Sequence, residues 1–132
     1  MAHPVAQPNT GASATDLSGP ALRAFFGLAK AWKLSEEEQM KLLGLASRST
    51  LHAWKAGRVS KISRDTLERI SYLLGIFKAI NILLPDQARA DAWMRAPNSA
   101  PLFGGKSALD RMISGNVGDL YVVRQYLDAQ RG

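Results

Sequence analysis

LSEEEQMKLLGLASRSTLHAWKAG, residues 34–57, spells two short helices joined by a tight turn. Ser35 is placed to cap the first helix, and Glu38 three residues later completes a capping box, since each side chain accepts an otherwise orphaned backbone N–H. Met40, Leu42 and Leu43 give that helix an apolar side. Gly44 falls where the helix must stop, because a residue without Cβ enters the left-handed conformation at low cost. Ser47 caps a second helix in which Leu51 and Trp54 face inward, and Gly57 marks its end. Arg48, Ser49, His52 and Lys55 are left facing out. Two helices so arranged form a helix-turn-helix, a device that lays its second helix in the major groove of DNA.

The charge of the chain gathers on the same stretch. The protein carries a formal net charge of +6, from 17 Lys and Arg against 11 Asp and Glu. Residues 39–64 hold Lys41, Arg48, Lys55, Arg58, Lys61 and Arg64 and no acid, so this segment alone accounts for the whole excess. A basic surface around a recognition helix is the footprint that phosphate binding requires. Arg48, Ser49, Thr50 and His52 stand at the start of that helix, where side chains reach base edges, and Arg48 suits the bidentate geometry of guanine O6 and N7. Lys55, Arg58, Lys61 and Arg64 read as phosphate contacts, which set affinity and salt dependence rather than sequence choice. Glu36, Glu37 and Glu38 run against this pattern. They suit the positive end of a helix dipole but repel phosphate if turned toward it.

Size and composition exclude several classes. With 132 residues and 46% hydrophobic content, the chain suits one domain or two small packed units around a real core. It has no cysteine, which rules out disulfides and thiolate metal sites and fits a reducing cytoplasm. The most apolar run, residues 72–84, is interrupted by Lys78 and Asn81 and falls short of the roughly 20 residues of a membrane span. Residues 1–16 are polar and small, with no apolar segment of the kind a secretory signal needs. A cytoplasmic protein without membrane contact is expected. Enzyme chemistry lacks material: of two histidines His3 lies in the tail, and Asp110, Asp119 and Asp128 have no neighbouring ligand cluster. Gly105-Lys106-Ser107 fails the phosphate-loop pattern, because position 100 is Ala100 and no strand precedes it. No catalytic site, metal or cofactor is expected.

Outward from the central stretch, every segment reads as helix, turn or tail. Residues 1–16 are rich in Pro, Gly, Ser and Thr and read as a disordered tail. Ser18 with Pro20 is expected to start a helix whose Leu22, Phe25, Phe26, Ala29 and Trp32 form one buried stripe. Ser63 caps a long helix that runs to Leu84, where Pro85 stops it. Its apolar residues cover well over half of its circumference, so it must be buried on two sides. A short helix over residues 87–95 follows, then a loop through Pro101, Gly104 and Gly105. Ser107 caps another short helix ended by Gly115, and a last helix reaches Gln130 with Leu120, Val123 and Leu127 on one face. No strand-like alternation occurs. The chain is expected to be all-α.

Several features of the C-terminal half occur together: Trp93, the Pro97-Asn98 pair, the Leu102-Phe103-Gly104-Gly105 turn, Ser107-Ala108-Leu109, and Gly115 followed by Val123 and Tyr126-Leu127. With them the chain resembles the Xre/MbcA/ParS-type antitoxins of bacterial type II toxin–antitoxin systems, over residues 20–132. One departure is Met40, four positions before the turn glycine, where such pairs usually carry a small residue. The resemblance implies an N-terminal Xre-like helix-turn-helix bundle joined by a long helix to a small helical toxin-binding unit. The expected division is a tail over 1–16, the DNA-binding domain with its linking helix over 17–84, and the toxin-binding domain over 85–132.

The resemblance also implies partners. The toxin would carry a RES domain, similar to ADP-ribosyltransferases and consuming NAD, and the antitoxin would occlude its cleft. The antitoxin would bind and repress the operon's own promoter DNA, and would pair as a homodimer. Trp93, Leu102, Phe103, Gly104, Gly105, Arg124, Tyr126 and Arg131 are the residues expected to meet the toxin, since aromatic and Arg side chains dominate interface energetics. Trp93 and Phe103 are equally of the kind that fills a core. Arg131 is placed to reach an NAD-phosphate subsite. Removal of residues 126–132 is expected to leave the fold intact and to abolish neutralisation. The rival reading is a stand-alone helix-turn-helix repressor whose C-terminal unit only dimerises.

Overall fold

A computed structural model of the chain describes residues 3–59 and 61–132, with side chains from Leu17 onward. Among the described residues it is all-helical, with seven helices: α1 His3–Ala31, α2 Glu36–Leu43, α3 Arg48–Lys55, α4 Arg64–Leu83, α5 Gln87–Trp93, α6 Ala108–Met112 and α7 Val117–Gln130. No described helix is long and apolar enough to cross a membrane.

Helix α1 buries Leu22, Phe25, Leu28 and Ala29, with Phe26 at the edge of the core, and Trp32 just past its end is buried with them. The expected start at Ser18 and Pro20 needs correcting, because both lie inside α1. Ser18 is buried and its hydroxyl accepts the N–H of Ile62 at 3.5 Å, so it serves a tertiary contact rather than a cap. Of the tail expected over 1–16, residues 1–2 lie outside the described residues, and the backbone of the rest is helical from His3 as part of α1, where a disordered tail was expected.

The central pair forms as its caps dictate. The Ser35 hydroxyl accepts the Glu38 N–H at 3.1 Å, and Glu38 Oε1 accepts the Ser35 N–H at 2.9 Å. Gly44 takes φ 72° at the end of α2, and the following Leu45 N–H closes the turn on Met40 O at 2.9 Å. Such αL termini satisfy carbonyls that a helix end leaves orphaned. The inner face of α2 is Gln39, Leu42 and Leu43, whereas Met40 is only half-buried. Gln39 takes the inner place because its amide donates to Leu34 O at 3.0 Å, tying α2 to the turn before it. In α3 the Ser47 hydroxyl accepts the Thr50 N–H at 3.3 Å, and Leu51 is fully buried.

Helix α4 is the spine. Ser63 caps it, and Ile70, Leu73, Ile76, Ala79 and Ile80 are buried along it. One side packs on α1 and α2, and another receives α7 with its buried Leu120, Val123 and Leu127. The two-sided apolar pattern is therefore satisfied inside one chain. Each fully buried Leu or Ile contributes about 1.5–3 kcal/mol, so α4 stabilises both halves at once. Gly75 lies where α7 crosses: a Cβ there would collide with the Arg124 guanidinium.

Beyond α4, Asp86 caps α5 through the N–H groups of Ala88 and Arg89. The loop that follows is pinned at its ends by an isolated antiparallel bridge between Pro97 and Ser107. Within it the Gly105 N–H donates to Asn98 O at 2.8 Å, with Gly104 and Gly105 both at positive φ. Ser107 and Asp110 form a second capping box at α6.

Candidate functional site

Helix α3 presents Arg48, Ser49, His52 and Lys55 outward, with Thr50 half-buried and Leu51 beneath. Arg48, His52 and Lys55 follow at steps of four and three, so they form one stripe along the helix. That stripe is not bare. Glu36, the first residue of α2, turns its carboxylate onto it: Oε1 lies 2.6 Å from Arg48 Nη1, and Oε2 lies 2.8 Å from His52 Nε2 and 3.8 Å from Lys55 Nζ. The hydrogen bonds from Arg48 and His52 hold the Glu36 carboxyl below the usual carboxylate range. Glu37 Oε1 stands 3.8 Å from Arg48 Nη2 and is largely exposed. The acid-free segment read from the sequence is thus neutralised in part by an acid just outside it. Arg58, Lys61 and Arg64 are exposed and make no ion pair among the described residues, and they keep the basic character of this face.

Three further arginines, none marked by the sequence pattern, tie elements together: Arg69 and Arg95 join the two halves, and Arg111 braces the C-terminal one. Arg69 is buried; its Nε donates to Asp65 Oδ2 at 2.9 Å, Nη1 to Lys41 O at 3.4 Å and Nη2 to Gly115 O at 3.0 Å. It therefore joins the end of α2 to the α6–α7 turn. Arg95 donates to Lys33 O at 2.7 Å and to Glu38 Oε1 at 2.9 Å, which fastens the end of α5 to the α1–α2 turn. Arg95 is the main reason the Glu38 carboxyl is held low. Arg111 donates to Asp119 Oδ1 at 2.7 Å and to Leu102 O at 3.0 Å. Hydrogen bonds from Ser114 and then Arg111 lower the Asp119 carboxyl.

The residues expected to meet a toxin divide into two groups. Phe103 is buried and Trp93 half-buried, and they meet edge to face at 5.9 Å. Tyr126 meets Phe103 in the same way at 5.2 Å. These three rings form one cluster in which Phe103 belongs to the core and half-buried Trp93 and Tyr126 pack against it. A groove of about 260 Å³ opens beside it, lined by Ile80, Leu83, Leu84, Trp93, Tyr126, Leu127 and Gln130. Leu102 is half-buried, while Gly104, Gly105 and Arg131 are exposed. Arg124 lies over Gly75 with its Nε 3.3 Å from Asp128 Oδ2, an ionic contact not aligned as a hydrogen bond. Arg131 Nη1 stands 3.7 Å from the same carboxylate. Because Leu127 is buried and Tyr126 braces Phe103, the expectation that residues 126–132 can be removed without harm to the fold is corrected.

A helix-turn-helix with a basic flank, continuous with a second helical unit, is the frame of a DNA-binding protein with another interaction surface. Residues 12–75 match the family model of the antitoxin Xre-like helix-turn-helix domain. Residues 79–132 match that of the antitoxin Xre/MbcA/ParS C-terminal toxin-binding domain. The chain belongs to the Xre-type antitoxins. It is also similar to the uncharacterized protein y4oB of Sinorhizobium fredii (strain NBRC 101917 / NGR234), with 51% identity over 111 residues and 84% of each chain covered. The two family matches meet inside α4, between residues 75 and 79.

Proposed function

We propose that this antitoxin neutralises a RES-type, NAD-consuming toxin by seating its C-terminal unit in the toxin's cleft, and that it represses its own operon through α3. The observation that carries the toxin reading is the end of α7. Arg131 is exposed there and held only by a 3.7 Å ionic contact, next to Gln130 at the rim of the apolar groove. A guanidinium in that setting is free to exchange its partner for a phosphate or carboxylate of the toxin site. Arg48, Ser49, Thr50 and His52 are the base-reading candidates, and Lys55, Arg58, Lys61 and Arg64 the phosphate contacts. Self-association belongs to the same proposal, with Ile82 and Tyr121, both exposed, as the side chains it would cover. Toxin, promoter and antitoxin would meet in the cytoplasm.

The test is co-expression with the toxin frame of the operon, reading NAD content and growth. Deleting residues 129–132, all exposed, spares the core. The full chain is expected to co-purify with the toxin and preserve NAD, and the shortened chain to fold normally yet lose that protection. Equal protection by both chains would refute the role of the α7 end. Recovery of the chain without a partner, bound tightly to its promoter, would make it a stand-alone repressor.

A further inference from the structure

We infer that Glu36 positions Arg48 for base reading and, with the same carboxylate, suppresses binding to DNA of arbitrary sequence. The inference rests on the proposed DNA-reading role of α3 and deepens it.

Three acids open α2, and each has a different setting. Glu38 is committed to the capping box and to Arg95. Glu37 projects outward with 78% of its side chain exposed, enough by itself to complement the helix dipole. Only Glu36 hydrogen-bonds across the turn, placing one oxygen on Arg48 and the other on His52 and near Lys55, whereas Glu37 makes a single 3.8 Å ionic contact with Arg48. Helix capping and dipole complementarity are satisfied without it, so its placement over the α3 stripe calls for another account.

Two consequences follow from that placement. The first concerns charge. Non-specific DNA binding is driven by release of counterions as protein cations approach phosphates. A stripe that already holds a carboxylate gains little from a phosphate, because one anion replaces another. The second concerns orientation. With Nη1 held at 2.6 Å by Glu36, the Nε–Nη2 edge of Arg48 is left to donate, and the long side chain has lost much of its rotamer freedom beforehand. A bidentate contact to guanine requires that fixed edge, whereas a phosphate accepts a guanidinium from many directions. Glu36 therefore weakens the tolerant contact and supports the demanding one.

The experiment compares Glu36→Gln with wild type and with Glu37→Gln, which removes a neighbouring charge that stands 3.8 Å from Arg48 Nη2 but makes no hydrogen bond to the α3 stripe. Affinity is measured on the operon's own promoter duplex and on a scrambled duplex across a salt series, with thermal midpoints confirming that each variant folds. Glu36→Gln is expected to raise affinity for the scrambled duplex about tenfold and to leave promoter affinity within about twofold. Its salt slope on the scrambled duplex should steepen by about one. Glu37→Gln should raise both affinities by one small common factor. Equal gains on both duplexes from Glu36→Gln, or the same loss of preference from Glu37→Gln, would overturn the inference. Failure of the underlying reading looks different: wild type itself would show no preference for the promoter, and the inference would go with it.

Discussion

Arginine is used in opposite ways on the recognition face and along the seam between the two units. On α3, Arg48 is about half-exposed and leans on a carboxylate at the surface. At the seam, Arg69 is buried and Arg95 is partly covered, and both donate to backbone carbonyls of distant turns. A surface carboxylate is exchangeable for a phosphate at little cost, since exposed ion pairs contribute only about 0–1 kcal/mol. A backbone carbonyl is fixed by the fold and has no such rival. The acceptor, more than the arginine, decides whether the side chain serves binding or architecture.

That contrast is open to direct attack, most forcefully at Arg69. Arg69→Ala removes the donor to the Gly115 carbonyl and one of two to the Lys41 carbonyl, and is expected to cost about 3 kcal/mol in urea unfolding. A loss below about 1 kcal/mol would mean that the seam is held by α4 and α7 packing alone. Gly44→Ala follows, at about 2 kcal/mol, because the residue has φ 72° and a Cβ there would lie 2.8 Å from Arg69 Nε. An unchanged thermal midpoint would show that Arg69 has room to retreat. Acid titration comes third. Glu36, Glu38 and Asp119 are all held below their usual range, so their stabilising contribution is complete above ordinary carboxylate pKa values. It is lost as pH falls through the lower folded values. Stability that declines only modestly between pH 6 and about pH 3 fits these surface carboxylates; no decline in that window would contradict the assigned pairings. The smallest effect on stability belongs to Arg48→Ala, expected within about 0.5 kcal/mol. Its consequence should appear in DNA discrimination instead, at about 1–3 kcal/mol against scrambled sequence.

The same contrast explains what was readable beforehand. The caps at Ser35, Ser47, Ser63 and Ser107 act on N–H groups three residues away, so their signals sit within a few letters of one another. The two-sided apolar pattern of α4 likewise called for a second packed unit or another protomer, and the structure supplies the former in α7. Arg69 and Arg95 gave no such sign, because the backbone carbonyls they reach lie 28 to 63 residues away in the chain. Charge misled for a related reason. A window over 39–64 contains no acid, yet folding brings Glu36 onto its basic stripe from 12 to 19 residues away. Gln39 took an inner position expected of Met40 for want of any local cue to its bond with Leu34 O. Trp93 and Phe103 read as letters more readily as core than as interface, and the structure places Phe103 in the core with Trp93 edge to face against it.

Helix α4 supplies the central wall of both units, and the two family matches meet within it. Both halves lay buried side chains against it, so loss of α4 would expose the core of each. A cut within α4 would therefore remove the DNA-reading face and the α7 face in the same event. Trimming of the exposed residues 129–132 would act differently, taking the end of α7 while leaving α3 in place.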